Sequence, residues 1–274
     1  MLHEQTMSKL QAMKLSGMAE GYEEQRRQSQ AGDLSFEERF AMLVDRQWFW
    51  RENRSLEGRL RWARLKLNAC IEDIDYRAHR DLSRSVVEHL ITTQWVKFHQ
   101  NCIITGATGL GKTYLACALG QKACRDGYST VYYVATKLFR ELAVCHVDGS
   151  LPRLLKKLLK ADLLIIDDWG LENVKPGQYR EYLELLDDRH GVGATLITSQ
   201  YAPDHWHEII GDATVADAIL DRLTHNAHRI DLKGESLRKP KEKGAIPRQP
   251  ETTGRVPGTR SKAARVAPLV STNL

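Results

Sequence analysis

Eight consecutive residues carry the most specific chemistry in this chain: Gly106-Ala107-Thr108-Gly109-Leu110-Gly111-Lys112-Thr113. They fit the spacing G-x-x-x-x-G-K-[ST], in which glycines let the backbone curl until successive N–H groups converge on phosphate oxygens. A helix beginning near Lys112 aims its positive dipole end at the same point. There Lys112 is expected to reach the β- and γ-phosphates of ATP, and the Thr113 hydroxyl to ligate Mg²⁺. The apolar run Cys102–Thr105 before the loop and the helix-forming run Tyr114–Leu119 after it supply the strand–loop–helix order that the motif requires.

Hydrolysis needs more than a phosphate cradle. Leu163-Leu164-Ile165-Ile166-Asp167-Asp168 reads as a buried strand ending in two carboxylates. Asp167 is placed to hold Mg²⁺ through its water shell, and Asp168 to polarise the attacking water. Thr198-Ser199-Gln200 ends a further apolar run and is placed to sense a γ-phosphate. Arg222, on an expected helix from Val215 to Thr224, has two readings: a finger on a neighbouring subunit's nucleotide, or a salt-bridged surface residue. The pairs His205/His207 and His225/His228 have metal-like spacing, but no Cys or acidic cluster completes either one. Lys156 and Lys157 read as decoration of a surface helix.

The elements that must position these groups fall into two kinds. Asn101–Thr105, Val131–Val134, Leu163–Asp167, Ala194–Ser199 and Arg229–Leu232 are short apolar runs separated by helical patterns, as in a parallel sheet covered on both faces. The first third reads as helix. Thr6 is expected to cap a helix ending at Gly17, and Ser35 with Glu38 forms a capping box. The helix that follows carries Phe40, Leu43, Val44 and Trp48 on one side, so Trp48 is expected in a core. Its pattern extends through Leu56, Leu60, Ala63 and Leu67. On the opposite side lie Arg51, Arg54, Arg59, Arg61, Trp62 and Lys66, suited either to DNA phosphate contacts or to plain solvation. A charged, helix-prone connection from Ile71 to His99 leads into the first strand.

Composition bounds the rest. With 274 residues the chain can hold one α/β core and a smaller domain. The net charge of +5 arises at the end, where residues 238–274 hold nine basic and two acidic residues among Pro, Gly, Ser and Thr; this tail is expected to be disordered. Five cysteines without a CxxC pair suit reduced thiols in a bacterial cytoplasm, and no apolar run is long enough to cross a membrane.

With these pieces in order, the chain resembles the IstB/DnaC-like branch of the AAA+ ATPases. The resemblance rests on the P-loop, Leu164–Gly170 with its Asp-Asp-Trp-Gly, Ile197–Gln200, Ala216–Leu223 and Gly234-Glu235-Ser236-Leu237-Arg238. It implies an α/β P-loop AAA+ core with a parallel five-stranded sheet over residues 71–238. A small all-helical DNA- or partner-binding domain (1–70) precedes it, and the disordered basic tail (239–274) follows. It implies ATP and Mg²⁺ as ligands, with Lys112, Thr113, Asp167 and Asp168 in the nucleotide and hydrolysis roles. Ser199 is the match to sensor 1, Arg222 to the trans-acting finger and Arg238 to the sensor-2 arginine. It further implies a homo-oligomer on DNA that recruits or activates a transposase. A replicative-helicase loader is the alternative client arrangement, and a P-loop small-molecule kinase is a third reading. Many AAA+ proteins carry Glu where this chain has Asp168, one methylene shorter, which implies slow turnover.

Overall fold

The computed structural model describes residues 2–27, 34–77, 80–171 and 179–237. Arg238 and the basic tail, named above, lie outside the described residues. Met1–Lys239 form one compact unit.

Three helices open the chain: α1 (Leu2–Ala12), α2 (Ser16–Arg27) and α3 (Phe36–Ala63). Thr6 lies inside α1, its hydroxyl bonding back to the Leu2 carbonyl at 2.9 Å, so it is not the expected cap. Nor does Gly17 end a helix. It sits in the first turn of α2, pressed on α3, where a Cβ would lie 2.7 Å from Trp50 Cβ and 2.8 Å from the Arg46 carbonyl. The capping box is present: Glu38 N–H donates to Ser35 Oγ at 3.2 Å and Ser35 N–H to Glu38 Oε2 at 2.8 Å.

The face of α3 that meets α2 differs from the one its apolar stripe suggests. Gln47 is buried and accepts the Met18 N–H at 3.1 Å, whereas Phe40, Val44 and Trp48 are exposed, Trp48 by 66%. Trp48 is therefore not a core residue. Close approach at Gly17 and Gly21 selects the Leu43–Gln47–Trp50 side of α3, which outweighs the hydrophobic pattern. The helix also stops earlier than its pattern: Arg64 adopts a left-handed conformation (φ 51°), leaving Lys66 and Leu67 beyond its end. The C-terminal part of α3 packs on the sheet domain, with Arg59 Nε donating to the Cys124 carbonyl at 2.7 Å.

A 3-10 turn (Ile71–Asp73), α4 (Arg84–Ile91) and α5 (Gln94–Lys97) lead into β1 (Asn101–Gly106). The sheet continues with β2 (Thr130–Val134), β3 (Leu163–Trp169), β4 (Ala194–Ser199) and β5 (Ala227–Leu232), all parallel, in the order β2-β3-β4-β1-β5. Alternation divides its side chains between two cores. Cys102, Ile104, Ile165 and Leu196 face α4–α6, with α6 at Lys112–Arg125. Ile103, Leu164, Ile166 and Ile197 face α7 (Ala135–Asp148), α8 (Leu151–Leu159), α9 (Tyr179–Arg189), α10 (Trp206–Ile210) and α11 (Ala213–Thr224). The expected five parallel strands are thus present; β4 has the expected bounds, and the other four are extended by a residue or two where the sequence pattern weakens. Because β1 lies beside β4, and β4 beside β3, the carboxyl ends of all three converge on one edge, where ligands of such sheets bind. All five cysteines are free; burial pushes the Cys102 thiol up to about 12.

Candidate functional site

The loop between β1 and α6 folds as its glycines permit. Gly106, Gly109 and Gly111 have φ of 138°, 90° and 88°, a region that penalises any side chain. Space is equally restrictive: a Cβ at Gly106 would meet the Leu232 carbonyl at 2.4 Å, and one at Gly109 would meet Ser236 Oγ at 2.0 Å. The Gly234–Leu237 segment therefore lies against the loop, and Leu237 N–H donates to the Gly109 carbonyl at 3.0 Å. Lys112 is buried, with Nζ donating to the carbonyls of Gly106 (2.6 Å) and Ala107 (3.0 Å), so its ammonium is held inside the loop's curve. Leu110, also in the loop, is buried and anchors it to the core. A cavity of about 460 Å³ opens beside the loop, lined in part by Thr108, Gly109, Gly111, Lys112, Thr113 and Asp168.

Asp167 is fully buried at the end of β3, yet it is well supplied with donors. The hydroxyls of Thr113 (3.0 Å to each oxygen), Thr198 (2.6 Å) and Tyr132 (2.5 Å) all donate to it. Burying a carboxylate is costly unless its charge is met in this way. Burial first, and the adjoining Asp167 second, raise the Tyr132 phenol far above its ordinary value, so it stays a donor. Beyond Ile166 the pairing of β3 with β4 slips, so that Trp169 rather than Asp168 comes opposite Ser199. Asp168 occupies this bulge with φ 61° and donates its N–H to Thr198 Oγ1 at 2.9 Å. In a regular strand neighbouring side chains point to opposite faces. The bulge instead brings Asp168 beside Asp167, with Lys66 Nζ 3.5 Å from one carboxylate and 3.6 Å from the other.

Several expected positions are corrected by this geometry. Ser199 is buried and donates to the Trp169 carbonyl at 3.0 Å, away from the carboxylates; Thr198 is the strand-end hydroxyl on Asp167, and Gln200 lines the cavity. Lys66 leaves the cationic helix face because α3 ends before it, and it stands at the Asp167–Asp168 pair. Arg59 leaves that face too, its guanidinium taken by the Cys124 carbonyl and by Ser55 Oγ at 2.7 Å. Arg51, Arg54, Arg61 and Trp62 remain exposed together on α3. Arg222 lies away from the cavity, paired with Asp187 of α9 and donating to the Ala218 carbonyl at 3.1 Å. Lys157 is half-buried and donates to the Tyr133 hydroxyl at 3.0 Å, which is no mere surface decoration. Among the described residues no group of three or more His, Cys, Asp or Glu side chains is arranged to hold a metal; His207 pairs with Asp217, and His228 with Gln100.

Sequence reasoning missed Arg80. It is buried, donates to the Leu110 carbonyl at 3.1 Å and to the Asp75 carbonyl at 3.0 Å, and lines the cavity beside Gly111. Its Nε has no partner among the described residues. Burial lowers the guanidinium's pKa, with Asp75 opposing. In the sequence Arg80 is one of several arginines in a charged connection, between Arg77 and Arg84, and nothing sets it apart from them.

The residues fit a magnesium nucleotide. A hydroxyl and a carboxylate 3.0 Å apart are hard oxygen donors of the kind Mg²⁺ takes alongside phosphate oxygens. The three loop glycines, all at positive φ, give the backbone the curvature by which a glycine-rich loop turns its N–H groups toward phosphates.

Comparison with known proteins agrees with this geometry. The model of the IstB-like ATP binding protein family matches residues 8–245. An insertion-sequence ATP-binding protein of Sinorhizobium fredii, y4pL, is 48% identical over 239 residues, covering 87% of this chain and 98% of that protein. The corresponding protein of insertion sequence IS21 from Pseudomonas aeruginosa is 31% identical over 238 residues, covering 86% of this chain and 90% of that one. Among solved structures, DnaI superposes with a TM-score of 0.54 at 22% identity, covering 61% of this chain and 92% of that one. AMPPCP-bound DnaA from Aquifex aeolicus gives 0.53 at 19%, covering 63% and 53%. At such identities these structures speak for the AAA+ fold alone. Fold, cradle and relatives converge: the chain belongs to the IstB-like ATP-binding protein family of insertion sequences.

Proposed function

We propose that this protein is a DNA-binding, ATP-hydrolysing helper of a transposase, which oligomerises on DNA and uses hydrolysis as an assembly switch. The observation that carries the hydrolytic reading is the Thr113–Asp167–Thr198 hydroxyl–carboxylate cluster beside the P-loop, with Asp168 turned to the same side by the β3 bulge. Bound Mg²⁺ would offset phosphate charge. Thr113 and Asp167 would hold it, Lys112 would take the β- and γ-phosphates, and Asp168 would orient the attacking water. Thr198 and Tyr132 hold Asp167 in position for that role. With its shorter side chain, Asp168 reaches the water less closely than Glu would, and turnover is expected below ~10 per second, the median for enzymes.

Arg222 supports oligomer-dependent activity. It does not reach its own chain's cavity, and its partner Asp187 is half-exposed, so the pair can open toward a neighbour. Insertion-sequence names among the relatives favour a transposase over a replicative helicase as client. The DNA reading rests on the exposed cations Arg51, Arg54 and Arg61, set beside Trp62 on α3. The decisive measurement is steady-state hydrolysis by Arg222→Ala. Hydrolysis should fall by about 10³-fold with ATP binding preserved, as for loss of a trans finger. Full activity in this variant would return Arg222 to an ordinary surface ion pair.

A further inference from the structure

A second cavity, also of about 460 Å³, opens between the end of α3, the edge strand β2, and helices α7 and α8. Its walls carry Trp62, Arg64, Tyr133, Lys137 and Lys157, with Lys66 on the side nearer the nucleotide cavity and Glu141 the one acid. The charge here is unbalanced in a specific way. Lys66 is matched by Asp167 and Asp168. Lys157 is not matched by a carboxylate: it donates to the neutral Tyr133 hydroxyl at 3.0 Å, and its Nζ stands 5.5 Å from the Tyr133 ring and 6.0 Å from the Trp62 ring. The Tyr133 hydroxyl and the Trp62 ring thus hold an ammonium at a fixed point without neutralising it. Among the described residues, Arg64 and Lys137 have no ion-pair partner either. Three uncompensated cations therefore face one acid in a concave site.

The cavity also has a neighbour of the same kind. Trp62 belongs both to this wall and to the exposed face of α3 that bears Arg51, Arg54 and Arg61. Gly58, between them, has open space where a side chain would be, so a backbone can approach the helix closely. The exposed cations of α3 and the cations of the cleft thus share Trp62 as a common boundary.

We propose that this cleft is a binding site for the phosphate backbone of DNA, with Lys157, Lys137 and Arg64 as the phosphate contacts and Trp62 and Tyr133 holding Lys157 in position. The inference rests on the DNA-binding reading above and locates its second half. It also sets the DNA track against the edge of the nucleotide site, since Lys66 lines both cavities.

The test is fluorescence anisotropy of a short labelled DNA duplex titrated with the full chain over a salt series, comparing wild type, Lys137→Ala/Lys157→Gln and Arg54→Ala/Arg61→Ala. Thermal melting and ATP binding serve as controls; neither Lys137 nor Lys157 touches the P-loop, and Gln keeps a donor for Tyr133. The cleft variant should bind at least about tenfold more weakly, with the slope of log K against log salt lower by about 1.8, two contacts at about 0.9 each. Wild-type affinity and slope in the cleft variant, with loss confined to the Arg54/Arg61 variant, would overturn the cleft and leave the DNA reading standing. A wild-type chain that does not bind the duplex would overturn both.

Discussion

At the scale of single residues, the site is organised around one buried carboxylate. Asp167 depends on three hydroxyl donors, and each is a separate lever on its position. Tyr132→Phe removes one without changing shape. Losing a donor to a buried charged group costs about 1–3 kcal/mol, so the variant should melt lower and hydrolyse ATP more slowly, read by thermal melting and phosphate release. Lys66 acts oppositely, as a cation near both carboxylates that a metal would otherwise offset. Lys66→Met should lower metal-free stability by less than about 1 kcal/mol, with a slightly lower melting midpoint, because its side chain is 45% exposed and screened. Titration with Mg²⁺ should then raise that midpoint more steeply than in the wild type.

At the scale of elements, the informative cases are those where packing overrules pattern. Phe40, Val44 and Trp48 of the apolar stripe of α3 point outward because α2 approaches through Gly17 and Gly21 on the Leu43–Gln47–Trp50 side. Gly17→Ala would drive a methyl into Trp50 and the Arg46 carbonyl. Overpacking of this sort costs about 1–3 kcal/mol, and hydrogen exchange should show the loss concentrated in α1 and α2. The β3 bulge is the second case. Asp167 and Asp168 read as adjacent strand residues, whose side chains alternation would separate; one extra residue in a left-handed conformation puts them beside the same ammonium.

At the scale of the whole molecule, Arg222 does not line the cavity of its own chain, and the proposed function has a neighbour supply it. A mixing experiment isolates that dependence. Lys112→Ala retains the finger and lacks the phosphate lysine, whereas Arg222→Ala has the reverse defect. Mixed, the two should recover up to about a quarter of wild-type hydrolysis, the share of interfaces that pair an intact cradle with an intact finger under random assembly. Recovery absent at every ratio would mean that Arg222 does not act across subunits.

The sequence by itself determined the cradle, the five parallel strands and the pair of carboxylates, because each is a local code. Glycine spacing sets a loop's curvature, β-branched and apolar runs mark buried strands, and acids at a strand end mark the sheet edge where ligands bind. Tertiary structure alone decided which neighbours serve those groups. Which hydroxyl of the Thr198-Ser199-Gln200 cluster meets Asp167 was settled by strand register, a nonlocal property, and Arg80 reached the P-loop from a segment with no motif of its own. Lys66 and Arg59 left the cationic face of α3 because a helix end and a long side chain's reach are settled by what packs beside them. The cradle was legible as letters; its partners became visible only when distant parts of the chain were brought within hydrogen-bonding distance.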